Sequence, residues 1–166
     1  VVKDYISGAH QHGMMAMFYN LCYGALDDAK ADGVSNKWYL YKNNKHSDID
    51  KLDLSNEWKS DIFLLDPSNT NWQNYIIDRN NDVYSSLDFD GFHIDQVGDR
   101  GSVYDYYGGS VNLPKAFASF ITAIKNARPE KSLVMNAVSR FGQQNIAGTG
   151  DVDFLYNEMW GSEDIS

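Results

Sequence analysis

Two acidic residues, Asp95 and Glu158, each end a short apolar and aromatic run that is typical of a strand. In an extended GFHID segment, Phe92 and Ile94 lie on one face, and His93 and Asp95 lie on the other. A buried charge is rare unless it is paired or has a function. Two carboxylic acids can cleave a glycosidic bond, one as nucleophile and one as proton donor. The alternative is a strand that ends in a solvated turn, since Asp and Gly favour turns.

The second acid follows the same pattern. Phe154, Tyr156 and Glu158 share one face of the last strand-like segment, so Glu158 lies at its C-terminal end. The strand that ends at Asn136 comes between it and the strand of Asp95. In a β/α barrel all strands end at one rim, so both acids are expected over the barrel mouth. A carboxyl separation of about 5–5.5 Å would imply retention of configuration, and a larger one inversion.

Other side chains at strand ends are candidates for binding a sugar. Asn20 and Asn136 could hydrogen-bond its hydroxyls, and His93 points to the same face as Asp95. Trp160 could stack on a sugar ring. Each has a structural alternative: the asparagines could close strand ends, His93 could be a core histidine, and Trp160 could pack on protein.

Strand-like and helical patterns alternate along the chain. For example, Leu113, Phe117, Phe120, Ile121 and Ile124 form one apolar helical stripe after Asn112 and Pro114. The alternation favours parallel β/α units. We therefore predict an α/β fold, a (β/α)8 TIM barrel of which this chain forms about half. A doubly wound sheet is the alternative, but no glycine-rich phosphate turn follows any strand. The four clearest strands end at Asn20, Asp95, Asn136 and Glu158.

The first half of the chain is harder to interpret. Residues 14–20 form an uncharged apolar run, which predicts a strand that is buried on both faces. Residues 21–31 suit a short helix. Residues 38–41 and 62–65 are strand-like, and we predict that they pair as a hairpin over a long loop.

Composition excludes some functions. The net charge is −9, which argues against binding nucleic acid through phosphates. No apolar run is long enough to span a membrane. Cys22 is the single cysteine, so no internal disulfide can form, and we expect it in the core.

We expect no metal and no cofactor. His10 and His12 lie on different faces of a helix, which disfavours a shared metal. One acidic run lacks the glycine and the ligand register of a calcium loop, so we predict a solvated acidic loop there. That run comprises Asp48, Asp50, Asp53 and Glu57.

Four segments carry a resemblance to glycoside hydrolase family 66. They are FDGFHIDQVGDRG, FLYNEMWG, GMMAMFYNLCYGA and LLDPSNTNWQNYI. The family comprises dextranases and cycloisomaltooligosaccharide glucanotransferases, which are retaining enzymes with a β/α-barrel catalytic domain. The resemblance implies Asp95 as nucleophile, Glu158 as acid/base, and an α-1,6-glucan (dextran or isomaltooligosaccharide) as substrate.

The resemblance also implies that residues 1–166 are part of one barrel domain. The rest of the barrel and the flanking domains are then expected outside this sequence. A secreted, cell-envelope or periplasmic location is implied as well. We expect endo-acting hydrolysis of dextran through a covalent intermediate. The alternatives are a cyclising transglycosylase, another retaining α-glucosidase-type barrel, and a non-catalytic carbohydrate-binding module.

Overall fold

The computed structural model describes residues 1–159, so Trp160 lies outside the described residues. The α-helices are α1 (Val2–Gln11), α2 (Thr70–Ser86), α3 (Leu113–Ala127) and α4 (Gln143–Ala147). The strands are β1 (Met17–Leu21), β2 (Gly24–Ala25), β3 (Lys51–Leu52), β4 (Ile62–Leu64), β5 (Gly91–Asp95), β6 (Val103–Tyr104), β7 (Ser110–Val111), β8 (Ser132–Asn136) and β9 (Phe154–Tyr156).

The main sheet has four parallel strands in the order β1-β5-β8-β9. Leu21 pairs with Asp95, and Asn136 pairs with Tyr156. The C-terminal ends of the strands therefore lie along a common edge of the sheet. α2 precedes β5, α3 connects β5 to β8, and α4 precedes β9. The predicted α/β alternation and parallel pairing are confirmed. Within residues 1–159, β1 and β9 are edge strands, and the sheet does not close into a barrel.

Local signals in the sequence explain the two long helices. Asn69 caps α2, where its side-chain oxygen accepts from the backbone amides of Asn71 and Trp72. Asn112 caps α3 by accepting from the Lys115 amide, and a proline occupies the first turn. The predicted apolar stripe of α3 is buried along its whole length.

One face of the sheet packs against these helices. Phe92 and Ile94 are fully buried there, as the alternation predicts. Phe92 stacks on Phe18 with ring centroids 5.0 Å apart. Cys22 is buried in the same core, and its carbonyl accepts a 2.8 Å hydrogen bond from the indole of Trp72. This contact joins the end of β1 to α2.

The prediction that residues 14–20 are buried on both faces is wrong. The strand begins at Met17, and both Met14 and Met15 are exposed. Tyr19 is 57% exposed. β1 pairs on one side only among the described strands, and just its Phe18 face packs against the core.

The predicted hairpin of residues 38–41 with 62–65 forms only in part. β4 is the centre of a three-stranded antiparallel sheet, between β2 and β3. Tyr39 forms only an isolated bridge to Leu65. The predicted helix at 21–31 is a single 3-10 turn at Asp27–Lys30. Two-residue strands are too short to carry a periodic pattern.

Asp50 corrects the prediction of a solvated acidic loop. It is 1% exposed, and both of its carboxylate oxygens accept from Arg100, at 2.9 and 2.6 Å. This bidentate pair ties the segment between β1 and α2 to the loop after β5. No helix within residues 1–159 is both long and apolar enough to cross a membrane.

Candidate active site

An asparagine joins the two candidate carboxylates at the common edge of the sheet. The Asn136 side-chain nitrogen donates to Asp95 Oδ1 at 3.0 Å and to Glu158 Oε2 at 2.9 Å. Since one amide nitrogen makes both contacts, these oxygens lie no more than about 5.9 Å apart. The three residues come from the ends of β5 and β8 and from just after β9.

Three donors orient the carboxylate of Asp95. Its Oδ1 accepts from Asn136 and from the backbone amide of Gln96, at 2.8 Å. Its Oδ2 accepts from the hydroxyl of Tyr19 at 2.6 Å. Hydrogen bonds to a charged group are the stronger kind, so the carboxylate is well fixed.

The backbone of Glu158 is fixed although its side chain is exposed. Its amide donates to Asn136 Oδ1 at 3.0 Å, and its carbonyl accepts from the Ser139 amide at 2.9 Å. Ser139 and Arg140 have positive φ angles of 51° and 62°, which are uncommon for residues other than glycine. The turn after β8 therefore adopts a strained conformation where it holds Glu158.

Below the carboxylates lies a layer of aromatic rings. His93 Nε2 and the Tyr156 hydroxyl share a 2.7 Å hydrogen bond, and the Tyr19 ring meets His93 edge-on. Although Tyr19 is half exposed, partial desolvation of its hydroxyl raises its pKa, and the Asp95 carboxylate raises it further. Burial, together with the charges of Asp95 and Glu158, raises the pKa of Tyr156 as well. Both phenols therefore keep their protons and can act as donors.

The structure brings together four of the six residues that the sequence singled out, namely Asp95, Glu158, His93 and Asn136. Asn20 is not among them, because alternation along β1 directs Tyr19 to Asp95 and Asn20 to the opposite face. Asn20 Oδ1 accepts instead from the amide of the next residue, Leu21. The roles of all six residues stay predictions.

Two residues of this site, Tyr19 and Gln96, were not predicted from the sequence. An unbroken apolar run has no alternation that would reveal which face Tyr19 occupies. Gln96 is buried, and it holds the loop after β5 through the amide of Gly98 and the carbonyl of Phe141. Its position, as a polar residue directly after a strand end, is the sequence feature that could have identified Gln96.

No group of three or more His, Cys, Asp or Glu side chains within residues 1–159 could hold a metal ion. His10 binds Asp90 at 2.9 Å at the opposite edge of the sheet, and His12 contacts the carbonyl of Gly8.

Comparison with known proteins identifies relatives along the whole chain. The family model of Glycosyl hydrolase family 66 matches residues 1–165. A cycloisomaltooligosaccharide glucanotransferase from Niallia circulans is 30% identical over 96% of this chain and 17% of the relative. A dextranase from Streptococcus salivarius is 24% identical over 96% of this chain and 20% of the relative. The chain thus spans about a fifth of the length of these relatives.

Solved structures agree with this similarity. A Paenibacillus cycloisomaltooligosaccharide glucanotransferase, solved in complex with cycloisomaltoheptaose, superposes with a TM-score of 0.87. It is 32% identical over 96% of this chain and 24% of that protein. A maltogenic α-amylase from Thermotoga neapolitana has a TM-score of 0.58 at 18% identity over 94% of this chain and 31% of that protein, which is a likeness of fold alone. Because the family match covers nearly every residue, this chain belongs to glycosyl hydrolase family 66.

Proposed function

We propose that the full-length protein is a retaining glycoside hydrolase that cleaves internal α-1,6-glucosidic linkages of dextran. Asp95 is the nucleophile, and Glu158 is the acid/base. The observation that carries this proposal is the amide of Asn136, which holds one oxygen of each carboxyl group within about 5.9 Å of the other. Retaining enzymes need about 5–5.5 Å, and inverting enzymes need room for a water between the groups.

We further propose that the sheet is part of a (β/α)8 barrel within a single catalytic domain. Four parallel strands follow one another in chain order, with Phe92 and Ile94 buried against the helices and the ring cluster of Tyr19, His93 and Tyr156 on the other face. Parallel barrels carry their active sites at the C-terminal ends of the strands, which is where Asp95 and Glu158 lie. A polymeric substrate is too large to enter a cell, so we also infer an extracellular or cell-envelope location.

In the first step, Asp95 attacks the anomeric carbon. Its Oδ2 forms the new bond, because Oδ1 already accepts from both Asn136 and Gln96. The bond from the anomeric carbon to the glycosidic oxygen breaks, and Glu158 gives its proton to that oxygen. The products are a glycosyl ester on Asp95 and a free glucan end.

In the second step, the ester is hydrolysed. The Glu158 carboxylate takes a proton from a water molecule, and the water oxygen bonds to the anomeric carbon. The ester bond breaks, and its electron pair returns to Asp95. Tyr19 stabilises the returning charge through its hydroxyl. Two inversions at the anomeric carbon give net retention.

Cyclising transglycosylation is the second candidate. The similarity to the glucanotransferases, at 30% and 32% identity, exceeds the 24% identity to the dextranase. The two reactions share the first step and differ in whether water or a sugar hydroxyl attacks the ester. Chromatography of the products from dextran distinguishes them, because hydrolysis gives linear oligosaccharides and cyclisation gives cyclic ones.

Two variants of the full-length protein test the proposal. Asp95→Ala should lower kcat on dextran by at least about 10⁴-fold, and azide should partly restore turnover and yield a glycosyl azide of inverted configuration. Glu158→Gln should slow dextran far more than an activated aryl glycoside, whose leaving group needs little protonation. Wild-type activity in Asp95→Ala would refute the mechanism. Turnover of starch but not of dextran would refute the substrate.

A further inference from the structure

Asn136 has no free N–H with which to bind a sugar. Both hydrogens of its side-chain amide are used, one by Asp95 and one by Glu158. Its side-chain oxygen accepts from the Glu158 backbone amide. The residue is 1% exposed, so almost no surface remains for a ligand. These contacts disfavour the direct sugar contact that its place at a strand end suggested.

We propose that Asn136 is a positioning residue, whose single amide sets the separation and orientation of the two carboxyl groups. This inference rests on the proposed function. It assigns to Asn136 a part in the reaction that acts through Asp95 and Glu158, without contact with the substrate.

The physical basis is one amide group that donates to both acids. In the proposed mechanism Asp95 is ionised while Glu158 is protonated, and Glu158 is ionised while Asp95 is esterified, so one of the two partners is charged at each step. The amide nitrogen lies between them and presents the positive end of one N–H to each. A hydrogen bond to an ionised partner is stronger than one between neutral groups.

The scaffold beneath Asn136 is rigid enough for this role. β8 lies between β5 and β9 and pairs with both. Asn136, at the end of β8, therefore lies beside the ends of the two strands that position the acids. Its neighbours Leu133, Val134 and Met135 are all buried. The side chain of Asn136 also fixes the Glu158 amide, so backbone and side chain of the acid are held by one group.

The contact can persist through the reaction. Because the ester forms through Oδ2 of Asp95, Oδ1 becomes its carbonyl oxygen and can still accept from Asn136. Both steps therefore need the same orientation of Asp95, and loss of Asn136 should slow both.

The test uses Asn136→Ala in the full-length protein, with dextran and an aryl α-isomaltooligosaccharide as substrates. We expect kcat to fall by roughly 10²–10³-fold, as for loss of a preorganised donor, with KM changed by less than about threefold. Both substrates should be slowed, and dextran more than the aryl glycoside, because Asn136 orients Glu158 as well as Asp95 and an activated leaving group needs little protonation. Asn157→Ala is the matched control, since Asn157 is exposed and adjoins Glu158.

A nearly isosteric variant guards against a folding defect. Asn136→Asp keeps the shape, but it can donate only when its own carboxyl group is protonated. Its activity should therefore be low at neutral pH and rise as the pH falls, so that its optimum is more acidic than that of the wild type. A purely structural role would leave the shape of the pH profile unchanged. Thermal melting checks that each variant is folded.

The possible outcomes separate this inference from the proposed function. If Asp95→Ala and Glu158→Gln retain activity, the proposed function fails. If both lose activity while folded Asn136→Ala keeps its kcat, only the positioning role fails. A higher KM at unchanged kcat would make Asn136 a substrate-binding residue and would overturn the inference. A lower kcat with unchanged KM and an acid-shifted Asn136→Asp profile would support it.

Discussion

Tyr19→Phe removes a single hydroxyl from Asp95 and keeps the aromatic ring. That hydroxyl donates to Oδ2, the oxygen that forms the ester in the proposed mechanism. Its hydrogen bond is strong while Asp95 is a carboxylate and weak once the oxygen is bound to sugar. The substitution should therefore destabilise the free enzyme relative to the glycosyl-enzyme. It should slow the second step, in which charge returns to Asp95.

The magnitude follows from the contact and its exposure. A hydrogen bond to a charged group contributes about 1.5–3 kcal/mol, or roughly 10- to 150-fold in an equilibrium or rate. Tyr19 is 57% exposed, so water can partly replace the lost hydroxyl. We expect the lower end of that range, about a tenfold slower hydrolysis of the intermediate.

The assay measures how much glycosyl-enzyme is present at steady state. Full-length wild type and Tyr19→Phe are mixed with an isomaltooligosaccharyl fluoride and quenched in acid. Mass spectrometry then gives the glycosylated fraction of the peptide that contains Asp95. Tyr19→Phe should show a larger fraction and a lower kcat. Tyr5→Phe is the control, since Tyr5 is exposed on α1.

Two results would refute this reasoning. If the glycosylated fraction falls together with kcat, the hydroxyl acts on the first step. If neither quantity changes, the Tyr19 contact has no part in the reaction, although the nucleophile could still be Asp95.

Three further predictions concern stability. Gly91→Ala should destabilise the protein by about 1–3 kcal/mol or more, because a Cβ there would lie 2.1 Å from a carbonyl oxygen of β8. Arg100→Met should lower the free energy of unfolding by about 3–5 kcal/mol, since it leaves the buried carboxylate of Asp50 without its charged partner. Partial burial acts to raise the pKa of Asp90, but hydrogen bonds from a backbone amide and from a histidine outweigh it and lower the pKa. The stabilisation from ionised Asp90 should therefore be complete above about pH 4 and be lost as the pH falls through its lowered pKa. Asp90→Asn should thus lower the free energy of unfolding less at pH 3 than at pH 6.

Thermal melting measures the stability of all three variants, and each prediction has a control. Gly8→Ala meets no atom within 4 Å, and in a helix it should stabilise by about 0.5–1 kcal/mol. Unchanged stability in Gly91→Ala would contradict the close approach of β5 and β8. Asp50→Asn combined with Arg100→Met should recover stability over Arg100→Met alone, and failure to do so would argue against an unpaired charge as the cause. An equal effect of Asp90→Asn at both pH values would contradict the assigned linkage.

Local patterns were enough to predict much of the fold. The caps at Asn69 and Asn112 and the apolar stripe of α3 depend on residues within a few positions of one another, so the sequence displays them directly. The alternation in β5 likewise predicted the buried face and the direction of Asp95.

Contacts between distant segments were not predictable in this way. The sequence suggested a solvated Asp50, but Arg100, which is fifty positions away, buries it in an ion pair. The run at residues 14–20 is apolar throughout, so nothing in it distinguishes the face of Tyr19 from that of Asn20. Only the pairing of β1 with β5, Leu21 opposite Asp95, decides which side chain reaches the carboxylate.

The sequence alone thus identified Asp95, Asn136 and Glu158 as candidates, from their residue types and their positions at strand ends. Their mutual arrangement was decided by the register of three parallel strands, each separated from the next by intervening helical segments. A shift of one residue in that register would turn Asn136 to the opposite face of the sheet. Register depends on packing across the whole sheet, and therefore the amide that joins the two acids became visible only in the tertiary structure.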